Sequence, residues 1–217
     1  MPSLPRILLI SLHKQPFFDE CYEPLLNSLK AAADVQLAED LPTALSLLSH
    51  LPTPSGILIT DEALVRSENR AIWKTVLDVV RRGATAVVMG HFPCFVRPDS
   101  IKPFFAQAGL PWTAGAYHRT ILALDRDLVG AAASDKLPRE YSQKAVFIKN
   151  VAPGDMWYKT NDNSVVQSLV FAPTSAHNPD ETAVALARVG EGALGYIGDV
   201  NAEEESHVVV LVMCGLL

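Results

Sequence analysis

Apolar positions along this chain form short unbroken runs separated by helical faces through the first half, and give way to strand-only patterning in the second. Arg6 to Leu12 is apolar without alternation, the pattern of a strand covered on both faces. Asp19 to Ala33 follows with Tyr22, Leu25, Leu26 and Leu29 at helical spacing. Asp34 to Ala38 predicts a second strand, Pro42 to Leu51 a helix with proline in its first turn, and Gly56 to Thr60 a third strand ending at Asp61-Glu62. Glu68 to Arg82 predicts a helix with Ile72, Val76, Val79 and Val80 on one face and Gly83 as its stop. Ala84 to Met89 is a fourth strand, which ends abruptly in the turn Gly90-His91-Phe92-Pro93-Cys94.

Strands and helices that alternate through short loops imply a parallel sheet with right-handed crossovers, and so an α/β, doubly wound fold. After the turn, Pro98 to Ala108 predicts a helix and Tyr117 to Leu124 a strand. The rhythm then changes. Lys144 to Val151, Val165 to Ala172, Ala183 to Val189 and Leu194 to Gly198 read as strands with no crossover helix between them, an antiparallel extension beside the parallel sheet. Asn201 to Leu217 predicts a closing helix that Asn201 can cap, with Glu203, Glu204 and Glu205 complementing its positive end. Its VVVLVMCGLL is apolar on all sides, so this helix should be buried.

A chain of 217 residues, 49% hydrophobic and 19% charged, suits one domain spanning 1–217 and excludes disorder. A net charge of -6 with mixed signs argues against nucleic acid or an anionic membrane face, which leaves a small molecule or a protein as partner. The apolar run in MPSLPRILLIS is too short for a signal segment, and Cys21, Cys94 and Cys214 show no paired spacing, so a cytoplasmic, reduced protein is expected.

Gly190-Glu191-Gly192-Ala193-Leu194-Gly195 matches G-x-G-x-x-G, but a dinucleotide fingerprint must open a helix. Here Tyr196-Ile197-Gly198 continues as a strand, so the glycines predict a hairpin turn. No G-x-S-x-G elbow and no phosphate-binding loop occurs, and no cofactor is expected. Neither H-x-H nor H-E-x-x-H occurs, so no metal site is expected either.

The segment ATAVVMGHFP resembles the strand and following histidine of the ThuA-like, or trehalose-utilisation, branch of the class I glutamine amidotransferase-like superfamily. AVALARVGEGALGYIGDVN, Ala183 to Asn201, is similar to that branch's closing hairpin, and Asp155-Met156-Trp157-Tyr158 echoes the motif between them. The resemblance implies a flavodoxin-like sandwich and a small polar, sugar-like ligand. Glutaminases of the superfamily carry a Gly-x-Cys-x-Gly elbow and a late His-x-Glu pair. Met89-Gly90-His91-Phe92-Pro93 has no cysteine in place, and His177-Asn178-Pro179 and His207 match the pair poorly, so glutamine hydrolysis in that manner is not expected.

The carboxyl ends of parallel strands are where ligands of such folds bind, which selects His13, Asp61, Glu62, His91 and Asp199 as candidates for one rim. His91 is the preferred proton carrier, with His118 as a second base. Cys94 is a candidate nucleophile if a base such as His91 or His118 reaches it, and otherwise a small residue packed behind Pro93. Trp112, Tyr117 and Arg119 form a second cluster that could line a pocket for a sugar or carboxylate. Two alternatives to acid-base chemistry on a polar ligand stay open: a catalytically inert homodimerising scaffold, and a thiol hydrolase using Cys94.

Overall fold

The computed structural model describes residues 4–50 and 56–217, so the first three residues and the predicted helix end at Leu51 lie outside it. Ten strands form one mixed sheet in the order β2-β1-β3-β4-β10-β9-β7-β5-β6-β8. They are β1 (Arg6–Ile10), β2 (Asp34–Ala38), β3 (Gly56–Ile59), β4 (Thr85–Val88), β5 (Thr113–Leu124), β6 (Glu140–Lys149), β7 (Met156–Lys159), β8 (Glu181–Thr182), β9 (Val184–Val189) and β10 (Gly192–Ile197). The helices are α1 (Phe18–Cys21), α2 (Glu23–Ala32), α3 (Leu41–Ser49), α4 (Arg70–Arg81), α5 (Phe92–Phe95), α6 (Pro98–Ala106), α7 (Arg126–Val129), α8 (Ala131–Ser134) and α9 (Glu204–Met213).

Strands β2, β1, β3, β4 and β10 run parallel, and the order 2-1-3-4 followed by the late strand is the flavodoxin-like doubly wound arrangement. Their lack of alternation has a direct cause, because both faces of the central strands are covered. On one side α3, α4 and α6 supply Leu48, Ile72, Trp73, Val76, Phe104 and Phe105 to the core. Trp73 stacks on Phe104 at 4.1 Å between ring centroids and donates its indole N–H to the Phe104 carbonyl at 3.2 Å, so its polar atom is satisfied inside. On the other side α1, α2 and α9 supply Phe18, Leu25, Leu29, Val209, Val210 and Met213. The closing helix is buried between sheet and α2, as its uniformly apolar sequence requires.

The remaining strands build the antiparallel extension. Strand β10 belongs to both halves, since it pairs antiparallel with β9 and parallel with β4, where sequence patterning had placed it in the extension alone. The G-x-G segment is the β9–β10 hairpin turn, and its glycines answer to packing. Gly190 has φ +64, and a Cβ on Gly192 would sit 2.1 Å from the Ala84 carbonyl oxygen and 2.3 Å from that of Val80. Only a residue without Cβ lets the hairpin approach the end of α4 that closely.

Three expectations need correction. The helix expected over 19–33 is two pieces broken at Tyr22, because Pro24 in the first turn of α2 lacks the N–H that would continue α1. Val165 to Ala172 is not a strand. Only an isolated bridge joins Val165 to Ser175, and Leu169, Val170 and Phe171 point into solvent, since strand propensity without a partner ladder builds no sheet. The short strand β7, which the sequence reading missed, lies between β9 and β5.

Candidate functional site

Strands β1, β3, β4 and β10 end on one edge, so Ser11 to His13, Thr60 to Glu62, Gly90-His91 and Gly198-Asp199 gather at a common rim. The chain reverses direction across the sheet between β1 and β3, the position where open α/β sheets leave a crevice. Hydroxyls tie these two ends together. Thr60 donates to the Ile10 carbonyl at 3.1 Å, so in the 2.5 Å contact between Ser11 and Thr60 it is Ser11 that donates.

The rim acids are largely committed to their own backbone. Asp61 accepts the His13 amide at 2.8 Å and the Ala63 amide at 3.0 Å, which caps the 3-10 turn that follows. Burial raises its carboxyl pKa, partly offset by those two bonds. Glu62 Oε1 receives His13 Nδ1 at 2.7 Å and Arg66 Nη2 at 2.9 Å. Burial alone would raise this carboxyl, but the bonds from His13 and Arg66 outweigh it and hold the pKa below the ordinary value. Glu62 Oε2 is buried without a partner.

Asp199 is 3% exposed and braces the segment that leads into α9, its two oxygens accepting the amides of Asn201 and Glu203, each at 2.8 Å. Asn201, the expected cap, lies short of the helix: Glu203 occupies the N-cap position and makes no side-chain cap bond among the described residues. Burial raises the Asp199 carboxyl pKa, against the pull of the Ser206 hydroxyl and the two amides.

His91 lies inside an aromatic collar formed by Phe17, Phe18, Tyr22 and Phe95, with ring centroids 5.0, 5.4, 5.6 and 5.8 Å away. Its Nδ1 is buried without a partner among the described residues. Burial lowers its pKa, and the Glu62 charge restores part of the loss, so the imidazole is neutral at neutral pH. Gly90 makes this turn. It has φ +67, and a Cβ there would stand 2.9 Å from the Thr60 carbonyl oxygen.

On the other side of the same turn, a hollow of about 580 Å³ opens between α5, the start of α6, strands β5 and β6, and the segment after β10. Cys94, Tyr117, Lys144 and Asn201 line it together with Val96, Ile101, Ala114, Val146 and Val200. Tyr117 pairs with Val146 and Arg119 with Lys144, which puts all four on one face of the extension. Lys144 Nζ stands 5.5 Å from the centre of the Tyr117 ring. Tyr117, Lys144 and Asn201 also border a wider, more open hollow of about 1180 Å³ beneath the segment 165–174, so they sit where the two hollows meet. Arg119 lies in the wider one and is ion-paired with Glu203, while donating to Ser142 at 3.0 Å.

Cys94 has an exposed edge, but its sulfur rests 3.9 Å from the Val200 carbonyl oxygen, and no histidine is hydrogen-bonded to it. Burial, with the nearby Asp199 and Cys21 charges adding to it, pushes the thiol up to about 11. A thiol raised in this way is mostly protonated at neutral pH, where the thiolate is the nucleophilic form.

Two expected site residues lie elsewhere. Trp112 is 0% exposed and packs on Phe105 at 4.9 Å, a core residue with no face toward a ligand. His118 points to the opposite face of β5 from Tyr117 and Arg119, because neighbours on a strand alternate. It stacks on Phe147 at 4.6 Å, bordering both the wider hollow and a separate cavity of about 290 Å³ that includes His177 and Glu181, and it makes no hydrogen bond to Cys94 among the described residues. Burial lowers its pKa, partly offset by Glu181. Lys144 and Asn201 were missed from sequence; Lys144 shares a face with Tyr117 only through the β5–β6 register. Among the described residues, no three His, Cys, Asp or Glu side chains converge to hold a metal ion.

No protein-family model matches the chain, and no curated protein sequence matches it. Solved structures do. A protein described as ThuA-like from Bacteroides uniformis superposes with TM-score 0.60 at 9% identity, covering 99% of this chain and 91% of that one. A protein described as cytoplasmic from Salmonella typhimurium gives 0.56 at 12%, covering 97% and 98%. The β-galactosidase of Bacillus circulans gives 0.60 at 11%, covering 98% of this chain but 31% of that enzyme. Among the described residues no helix is long and apolar enough to cross a membrane. The chain has the fold of these ThuA-like proteins, a flavodoxin-like doubly wound sheet with an antiparallel extension.

Proposed function

We propose that this chain binds a small molecule at the carboxyl rim of its sheet, in the hollow between Cys94 and Lys144, and does so without a covalent step. One observation carries the reading: the hollow at the ends of β4 and β10 is of ligand size and combines apolar walls with a few convergent polar groups. The thiol held near 11 argues for binding over thiol hydrolysis. Any proton transfer at the rim falls to His91, the neutral imidazole there, whose ring faces the aromatic collar and not the hollow. Binding is therefore the function and proton transfer secondary to it. Three free thiols support a reducing, cytoplasmic setting.

The test is a thermal-shift screen of small metabolites, sugars included, on the wild type and on Val146→Phe, which fills the hollow from its floor. Stabilisation of the wild type that the filled variant loses supports the reading. Hits that stabilise both equally overturn it.

A second reading has an observation of its own. Leu169, Val170 and Phe171 form a solvent-exposed apolar loop tip, which favours a scaffold that pairs with another copy. Sedimentation of the wild type against Leu169→Ser/Phe171→Ser decides it: a dimer that the double variant dissolves supports pairing, and a wild-type monomer excludes it.

A further inference from the structure

Resting on that reading of the hollow, we propose that its ligand is a monocarboxylate with an apolar body, the carboxylate paired with Lys144 and the body lying along Val96, Ile101, Ala114, Val146 and Val200. These walls offer no side-chain hydrogen-bonding group. A sugar, with a hydroxyl on nearly every carbon, would bury several of them unpaired against this surface, each at a cost in affinity. The side chains with polar atoms are Cys94, Tyr117, Lys144 and Asn201, and three of these lie where the hollow meets its open neighbour. A ligand matching that arrangement is apolar along its length and polar at one end.

The sign of that end follows from the charges around it. Lys144 makes no ion pair among the described residues, in contrast to Arg119 with Glu203, Lys149 with Glu181 and Lys159 with Asp125. The nearest acids are engaged: Glu203 holds Arg119, and Asp199 is turned to the backbone of α9. One uncommitted ammonium over the Tyr117 ring matches one negative charge. A phosphate dianion would need a second free cation, and Arg119, the neighbour in register, is already neutralised. The volume of about 580 Å³ suits a body of aromatic or medium-chain aliphatic size.

The experiment uses 4-phenylbutanoate as probe, its carboxamide as the neutral isostere, and glucose and inorganic phosphate as controls. Binding is read by calorimetry and by the alkylation rate of Cys94, followed by peptide mass spectrometry so that Cys21 is scored separately. The acid should bind and slow Cys94 alkylation, with the amide weaker by about tenfold, the equivalent of losing one charge-assisted hydrogen bond. Lys144→Met should weaken the acid by about tenfold and leave the amide unchanged, and Lys144→Arg should restore the acid. Acid and amide binding equally, or glucose protecting Cys94 while the acid does not, overturns the carboxylate assignment and leaves a binding hollow standing. If no probe slows alkylation and the thermal-shift screen also yields no hit lost in Val146→Phe, the hollow itself fails as a site and the assignment falls with it.

Discussion

Replacing Asp199 by Ala separates a structural carboxylate from a reacting one. Its oxygens accept two backbone amides at 2.8 Å, and it also bonds Ser206 at the start of the buried helix α9. A hydrogen bond to a charged group contributes about 1.5–3 kcal/mol, and water reaching exposed Asn201 recovers part of that. The net loss should be about 3 kcal/mol. For a chain of this size that lowers Tm by roughly 6–12 °C. Asp199→Asn keeps one acceptor oxygen and should lose about half as much. Urea unfolding followed by circular dichroism, at unchanged m, measures both. A loss below about 1 kcal/mol for Asp199→Ala would refute the bracing role and return Asp199 to the list of candidate reacting groups.

Acid should destabilise the protein through its buried histidines. His91, His118 and His207 all have pKa values lowered from 6.5 by burial, so below about pH 6.5 the unfolded chain takes up protons that the folded chain refuses. Stability is then full above that pH and falls as pH drops toward the lowered folded values; a flat profile from neutrality to about pH 5 would contradict this. The raised carboxyls of Asp61 and Asp199 act in the opposite direction, adding stability as pH falls through their folded values toward 3.8. Neither ring nitrogen of His207 has a partner, so His207→Phe should hold or gain about 1 kcal/mol at neutral pH and flatten the acid slope, and a loss above about 2 kcal/mol would disprove it. Gly192→Ala should cost about 2–3 kcal/mol in urea unfolding, because the added methyl meets backbone carbonyls that cannot turn aside; a neutral outcome would mean the hairpin is not held against α4.

The parallel half of the fold is legible from sequence because burial on both faces leaves β1, β3 and β4 apolar apart from Arg6 and Thr85 at two strand starts. Gly83 and the apolar face of α4 mark its boundaries just as plainly. Pairing partners are not written in the same way. Val165 to Ala172 has strand composition without a ladder, and Met156–Lys159 is a strand too short to stand out. His13, Asp61, His91 and Asp199 stand at strand ends on one edge, as strand direction dictates, and none of them lines the hollow. What residue type cannot reveal is the way a carboxylate turns: the same aspartate after a strand serves as a cap or as a site, and Asp61 and Asp199 turn to amides. Lys144 enters the hollow only through the register that sets Arg119 opposite it, and Trp112 leaves the site because Phe105 of α6 covers it.

The pH dependence of Cys94 alkylation tests most directly whether this rim is a binding hollow or a reactive thiol centre. Peptide-resolved rates across the alkaline range should rise with a midpoint of about 11, the thiol reacting only slowly at neutral pH. A midpoint at or below about 8.5, the value of an ordinary cysteine, would mean that a base or a positive field serves Cys94, and would contradict the non-covalent account.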